Sequence, residues 1–176
     1  MRALVVFESM HGNTKAVAGA VAEGLSAHLR VDLVEVGAAP NAIDEDVVLL
    51  VVGGPTHAHG MSKPDSRHSA AQRDREGRVP FRVGIREWLA DLRPVHGDVA
   101  AAAFDTRIKG PALLWGSAAQ GAAKELRRLG FRDAVAPESF LVKGPLGPVR
   151  DALVDGETER ARAWAARLGS ELGAGR

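Results

Sequence analysis

The sequence predicts an α/β protein in which one doubly wound, five-stranded parallel sheet lies between two layers of helices, a three-layer α/β/α architecture. Continuous apolar segments of strand length alternate along the chain with segments whose apolar residues recur at helical spacing. This alternation favours repeated β-α-β units with right-handed crossovers. The 176 residues, of which 45% are hydrophobic and 26% charged, suit a single domain, residues 1–176, with a substantial core.

Five segments are predicted to be strands. Residues 3–7, 47–52 and 99–104 are continuously apolar, which is typical of central parallel strands covered by helices on both faces. Residues 31–36 nearly alternate between apolar and polar, which favours an edge strand with one partly solvated face. A fifth strand is expected near residues 139–142.

Four helices are predicted between and after the strands, at residues 13–29, 85–92, 117–129 and 155–168. In the first, second and fourth, apolar residues recur at spacings of three and four, which gives one buried stripe. Ser117 is a good N-cap for the third helix, and Gly130 is placed to end it in a left-handed turn. Asp155 is expected to cap the fourth helix.

The composition excludes several classes of function. A net charge of +1 gives no reason to expect a nucleic acid or an anionic membrane as partner. A chain without cysteine forms no disulfide, thiolate nucleophile or zinc-thiolate site, so any redox chemistry requires a bound cofactor. The absence of tyrosine excludes a tyrosyl acid or base.

No targeting or membrane segment is recognisable. The apolar run at the amino terminus ends at Glu8, which is too short for the core of a signal peptide. The other long apolar run, residues 47–52, is far shorter than the roughly 20 residues that span a bilayer. The expected location is therefore the cytoplasm.

One polar stretch interrupts the alternation of strands and helices. Residues 61–86 carry seven basic and three acidic side chains, a net charge of +4, which leaves −3 for the rest of the chain. We interpret about 61–84 as a basic insertion, because connections in such folds are usually much shorter. It is either a solvated surface loop or a lid that meets an anionic ligand or partner.

The loop after the first strand is a candidate anion site. Ligands of doubly wound sheets bind beyond the carboxyl ends of the strands. There the chain has Ser9, Met10, His11, Gly12, Asn13 and Thr14, which lead directly into the first helix. Small hydrogen-bonding residues at a helix N-terminus favour phosphate, although the loop is neither a Walker A nor a G-x-G-x-x-G motif. A plain capped turn is the alternative.

Two further loops are expected at the same edge of the sheet. Gly53, Gly54 and Pro55 are predicted to form a tight turn after the third strand. The next residues are Thr56, His57, Ala58 and His59. The two histidines suit contact with a flat ligand better than a metal site, because no acidic or sulfur ligand is near in the sequence. The alternative is that they are ordinary loop histidines. Asp105, Thr106 and Arg107, after the fourth strand, are expected to form a third wall of the cleft.

Taken together, these loops resemble those of the flavodoxin-like family. Ser9–Thr14 is similar to the family's phosphate loop, T/S-x-T-G-N-T, and Gly53–His57 is similar to its Gly-x-Pro-Thr-aromatic loop. The resemblance implies a sheet ordered 2-1-3-4-5 and a noncovalently bound FMN. The FMN phosphate would then lie at Ser9–Thr14, with the isoalloxazine between Pro55–His59 and Asp105–Arg107.

The chain departs from the family pattern in three ways. His11 replaces a threonine of the phosphate loop, His57 replaces the aromatic residue, and no tyrosine exists to cover the flavin. The resemblance implies electron transfer, with a redox partner protein, or a small oxidoreductase of the quinone or flavin reductase type. The basic insertion favours the enzyme, with Arg67, Arg73 or Arg75 near an anionic substrate or the phosphate of NAD(P)H.

Two alternatives stay open from the sequence. A flavodoxin-like scaffold that has lost flavin binding would serve as a regulatory or protein-binding module. A phosphate-ester hydrolase would use His57 or His59 near Ser9, but no acidic partner for these histidines is recognisable. The sequence assigns no catalytic residue, and it leaves a homo-oligomer open.

Overall fold

The computed structural model describes residues 1–57, 60–73, 83–95, 98–110, 116–144 and 152–174, without the side chains of residues 69–73 and 174. The strands are β1 (Arg2–Phe7), β2 (Arg30–Glu35), β3 (Val47–His57), β4 (Gly60–Met61), β5 (Ala100–Ile108), β6 (Arg132–Asp133) and β7 (Glu138–Val142). The α-helices are α1 (Asn13–Ser26), α2 (Pro64–Arg73), α3 (Ile85–Asp91), α4 (Ala118–Arg128) and α5 (Glu157–Ala174).

The sheet has the predicted order. Its strands run β2-β1-β3-β5, and β6 and β7 share the fifth position, both parallel to β5. This confirms the order 2-1-3-4-5, with the difference that two short strands replace one continuous fifth strand. Strand β2 lies at the edge, as its alternating sequence predicts, and β4 pairs antiparallel with the end of β3.

Helices cover both faces of the sheet, which confirms the three-layer architecture. On one face the strands pack against buried residues of α3 and α4, among them Trp88, Leu89 and Leu126. On the other face they pack against α1 and α5, where Trp164 meets the rings of Phe104 and Phe140 edge to face. The four helices predicted from the sequence therefore provide the two cores.

The tight turn predicted at Gly53, Gly54 and Pro55 is wrong, because β3 continues through these residues to His57. The glycine at position 53 serves packing instead. A Cβ atom built on Gly53 would lie 2.0 Å from Cζ of the Phe104 ring on the neighbouring strand. Gly53 thus makes room for a buried aromatic ring beside an uninterrupted strand.

The predicted ends of α4 are confirmed, whereas the predicted cap of α5 is wrong. The Ser117 hydroxyl accepts a hydrogen bond from Gln120 N at 3.2 Å, and Gly130 adopts a φ of +93°, which confirms both ends of α4. Helix α5 begins only at Glu157, after Gly156 with a φ of +87°, so the cap predicted at Asp155 is wrong. The Asp155 carboxylate instead pairs with Lys143 at 3.0 Å.

The basic stretch is partly helical. Helix α2 occupies residues 64–73, where the sequence favoured a surface loop, and α3 begins at Ile85. Residues 74–82, with Arg75, Arg78 and Arg82, lie outside the described residues. Within the part of the chain that the structure describes, no helix is long and apolar enough to cross a membrane.

Candidate functional site

The three predicted loops meet at the carboxyl edge of the sheet. The hydroxyl oxygens of Thr14 and Thr106 lie 2.8 Å apart, which joins the loop after β1 to the end of β5. The Thr56 hydroxyl donates to Asp105 Oδ2 at 3.0 Å, which joins the end of β3 to the end of β5. The strand order therefore brings together the residues that the sequence assigned to one site.

The N-cap residue of helix α1 has no side chain that could cap the helix. This residue is Gly12, which has a φ of +88° and no side-chain hydrogen bond in the capping position. A Cβ atom built on Gly12 would find nothing within 4 Å, so the space in front of the helix is open. The Ser9 hydroxyl accepts from Gly12 N at 3.1 Å and from Lys15 N at 3.2 Å, which folds the loop over the start of the helix.

A cavity of about 450 Å³ opens beside this loop, toward the end of β2. It is lined by Phe7, Ser9, Met10, His11, Gly12, Lys15 and Glu35. Met10 is buried at its floor, whereas His11 and Lys15 are exposed. The Glu35 carboxylate accepts from Gly37 N at 2.8 Å through Oε2. Four of the predicted residues thus surround a space that an anion can enter.

The second loop supplies a buried proline and a half-buried histidine. Pro55 is buried within β3, and His57 ends that strand. Burial lowers the pKa of His57, and charge repulsion with the nearby His11 lowers this pKa further. The imidazole of His57 is therefore neutral at pH 7, with one donor and one acceptor nitrogen. Ala58 and His59 lie outside the described residues.

Asp105 in the third loop is fully buried and supports the start of α4. Its Oδ2 atom accepts from the Ser117 hydroxyl at 2.6 Å and from Ala119 N at 3.0 Å, in addition to Thr56. The Thr56 hydroxyl in turn accepts from Ala118 N at 2.8 Å. The side chains of Thr56 and Asp105 therefore stabilise the first turn of a helix, which is a structural role that the sequence did not reveal.

Arg107 lies half-buried at the outer end of the same loop. Its Nη1 atom donates to Gly110 O at 3.0 Å, which holds the guanidinium against the local backbone. Asn13 is the first residue of α1 and is half-buried.

A buried polar cluster that the sequence did not indicate lies next to the site. It consists of Glu8, Ser62, Arg67 and Glu87, and we call it the Glu8 cluster. Glu8 is 1% exposed, and its carboxylate accepts from the Ser62 hydroxyl at 2.5 Å and from Ile85 N at 2.9 Å. Arg67 donates to the Ser62 hydroxyl at 2.9 Å and pairs with Glu87 at 2.9 Å.

The Glu8 cluster corrects the interpretation of Arg67. The sequence placed this arginine near an anionic substrate, but only 1% of it is exposed and it pairs with the half-buried carboxylate of Glu87. Arg86 also bonds within the segment, to the carbonyls of Ser62 at 3.2 Å and Met61 at 3.0 Å. The side chain of Arg73 and all of Arg75 lie outside the described residues. A signal for Glu8 existed, since a carboxylate directly after a buried strand requires a partner.

Burial raises the pKa of Glu8 above its ordinary value of 4.5. Hydrogen bonds from Ser62 and from Ile85 N, and the positive charge of Arg67, oppose this rise without cancelling it. The rise is consistent with a carboxylate that shares a single arginine with a second carboxylate, Glu87.

Comparison with known proteins gives one family and many similar structures. Residues 5–81 match the flavodoxin family model. A flavodoxin from the domain Archaea is 19% identical with a TM-score of 0.64, over 98% of this chain and 99% of that chain. Oxidised flavodoxin 2 from Bacillus cereus is 18% identical with a TM-score of 0.65, over 98% of this chain and 99% of that chain.

A longer protein contains a similar domain. Rubredoxin:oxygen oxidoreductase from Desulfovibrio gigas is 18% identical with a TM-score of 0.63, over 98% of this chain but only 36% of that chain. None of the curated protein sequences compared with this chain matches it. At these identities the solved structures establish the fold.

Proposed function

We propose that this chain is a member of the flavodoxin family, binds FMN noncovalently and acts in electron transfer; the match of residues 5–81 to the family model and the fold shared with flavodoxins support the proposal. The observation that carries the proposal is the start of α1, where Gly12 at a φ of +88° leaves open space before a helix N-terminus. Redox chemistry in a chain without cysteine requires a bound cofactor, which is consistent with the proposal.

The described residues of the first loop fit a phosphate group. Backbone N–H groups and the positive end of the helix dipole favour an anion at the start of α1. Lys15 adds a full positive charge at the cavity, and the Ser9 hydroxyl can donate once a phosphate oxygen is near. The loop amides, Ser9 and Lys15 would therefore hold the phosphate.

The isoalloxazine would lie near the ends of β3 and β5. His57 is neutral and half-buried there, so it can donate to or accept from a flat heteroaromatic ring. Pro55 and Thr106 provide buried, rigid backbone at the same edge. When bound, FMN supplies one-electron and two-electron redox chemistry, and the protein orients it and limits access of water.

The net charge of +1 favours a second candidate, a small quinone or flavin reductase. Proteins that are steered to redox partners use a large complementary charge, which this chain lacks. NAD(P)H would be the electron donor of such an enzyme. Steady-state oxidation of NADH and NADPH by the FMN-loaded protein, with and without a quinone, separates the reductase from the electron carrier.

Titration of the purified chain with FMN tests the proposal. We expect quenching of flavin fluorescence at a one-to-one ratio, and a loss of at least about tenfold in affinity for Gly12→Ala, because alanine disfavours the left-handed region. Gly19→Ala is the matched control, since Gly19 lies inside α1 and has open space around its Cα atom. The control should bind FMN as the wild type does.

The opposite result has a defined meaning. If the fluorescence of FMN is not quenched and the protein does not retain FMN, the alternative of a flavodoxin-like scaffold without flavin replaces this proposal. If Gly12→Ala and Gly19→Ala bind FMN equally well, the phosphate does not lie at the start of α1.

A further inference from the structure

The Glu8 cluster joins the candidate phosphate loop to a part of the chain remote in sequence. Glu8 N donates to Gly53 O at 2.9 Å, so the backbone of Glu8 is held on β3. The next residue, Ser9, begins the loop that leads into α1. The backbone of Glu8 is therefore the fixed point from which the loop leaves the sheet.

The other side of the cluster comes from the β4–α3 segment, which we define as residues 60–73 and 83–87. Three points of this segment converge on Glu8: the Ser62 hydroxyl after β4, Arg67 through that hydroxyl, and the backbone N–H of Ile85. Glu87 completes the cluster, since its Oε2 atom accepts from Arg67 and from Gly84 N, each at 2.9 Å. One carboxylate thus contacts the beginning and the end of the segment.

The cluster is close-packed as well as charged. A Cβ atom on Gly84 would lie 2.3 Å from Arg67 Nη1 and 2.9 Å from both Glu8 Oε2 and the Ser62 hydroxyl. Gly84 has a φ of −111°, which any residue adopts, so the need for glycine here is steric. A buried carboxylate and a buried guanidinium are costly to separate from their partners, so Glu8 and Arg67, each 1% exposed, hold the cluster together.

We propose that Glu8 is a positioning residue, which through Ser62, Arg67 and Glu87 couples the phosphate loop to the β4–α3 segment. Docking of this segment and binding of an anion at Ser9–Thr14 then favour each other, because coupling between two sites is reciprocal. The identity of the anion as FMN rests on the proposed function. The coupling itself is a property of the chain without ligand, so the two are separately testable.

Hydrogen exchange in the ligand-free protein tests the coupling. We expect Arg67→Met to raise exchange at residues 64–73 and also at residues 9–15, although no member of the loop is altered. Gly84→Ala, which keeps every charge and inserts one methyl group, should give the same pattern more weakly and serves where Arg67→Met does not fold. Arg67→Lys should restore part of the protection at residues 9–15.

Arg160→Met is the matched control. Arg160 pairs with Glu138 and Glu157 at 2.7 Å each, so it also joins two carboxylates, but it lies on α5 and contacts β7. This variant should leave residues 9–15 unchanged. Exchange that rises at residues 64–73 alone in Arg67→Met and Gly84→Ala would overturn the coupling and leave the cluster a local anchor.

FMN affinity provides the second readout. We expect about tenfold weaker binding of FMN by Arg67→Met and no change for Arg160→Met. If the wild type does not bind FMN, but Arg67→Met raises exchange at residues 9–15, the proposed function is contradicted and the coupling is supported. If the wild type binds FMN, and Arg67→Met and Gly84→Ala bind it with the same affinity, the coupling is contradicted and the proposed function is supported.

Discussion

Two helices begin at the carboxyl edge of the sheet, and they differ in how many protein side chains accept hydrogen bonds from their first turns. At α4, the N–H groups of Ala118, Ala119 and Gln120 donate to the side chains of Thr56, Asp105 and Ser117, respectively. At α1, the N-cap residue is a glycine without a side-chain hydrogen bond in the capping position. Three side chains therefore close the start of α4, whereas at α1 only the Ser9 hydroxyl accepts from Gly12 N and Lys15 N among the hydrogen bonds described, and the loop borders an open cavity.

The difference separates residues that the sequence placed in one site. Thr56 and Asp105 stabilise the start of α4, and this use of their side chains does not require a ligand. Ser9, Gly12 and Lys15 surround the space before α1, where the helix dipole favours an anion. The comparison teaches that closeness to the sheet edge is not enough, since a binding site also needs open space into which the ligand fits.

Removal of the Asp105 carboxylate has the largest expected effect. Asp105→Ala leaves the Ser117 hydroxyl, the Thr56 hydroxyl and Ala119 N without their acceptor in a buried place, so we expect a loss of about 3 kcal/mol in the free energy of unfolding. Urea denaturation measures it. Asp98→Ala, which breaks an exposed pair with Arg132, should cost at most about 1 kcal/mol. Equal losses for both variants would contradict the role of Asp105 at α4.

The two serines at the helix starts provide a smaller test of the same contrast. Ser117→Ala removes the N-cap of α4 and should lower the free energy of unfolding by about 1 kcal/mol, with or without FMN. Ser9→Ala should cost only about 0.5 kcal/mol without ligand, because the N-terminus of α1 is open to water. A larger loss in Ser9→Ala than in Ser117→Ala, measured by thermal or urea unfolding, would reverse the comparison.

Titration of Glu8 gives the smallest expected effect, a dependence of stability on pH. Burial raises the pKa of Glu8 above 4.5, so the folded chain binds this proton more tightly than the unfolded chain does. The contribution of Glu8 to stability is therefore fully present below pH 4.5 and is lost as the pH rises through the folded pKa. The free energy of unfolding of the wild type, minus that of Glu8→Gln, should fall over this range. A difference that is constant or rises with pH would contradict the assignment.

Local patterns in the sequence were enough to predict most of the fold. The apolar strands and helical stripes depend on neighbours three or four residues away, and Ser117 and Gly130 mark the ends of α4 by their own backbone preferences. The order of the strands followed from two loop motifs that resemble those of one family. These features need no knowledge of distant contacts, which is why one sequence sufficed.

Features decided by distant contacts were not predictable in the same way. Gly53, followed by Gly54 and Pro55, indicated a turn, yet Gly53 lies in a strand and leaves room for the ring of Phe104 on the neighbouring strand. Arg67 belongs to a basic stretch that indicated a solvated surface, yet Glu87 and Ser62 hold it in the interior. Asp105 was placed correctly at the sheet edge, but its partners on α4 depend on how the helix packs.

The most direct test of the central claim is a two-dimensional NMR titration of the labelled chain with FMN. The claim predicts the largest shifts in the amide signals of Gly12–Lys15, beside the cavity at the start of α1, and smaller shifts at Ala118–Gln120, where three side chains of the protein close the helix start. An absence of shifts, or shifts that are largest at Ala118–Gln120, would contradict the claim.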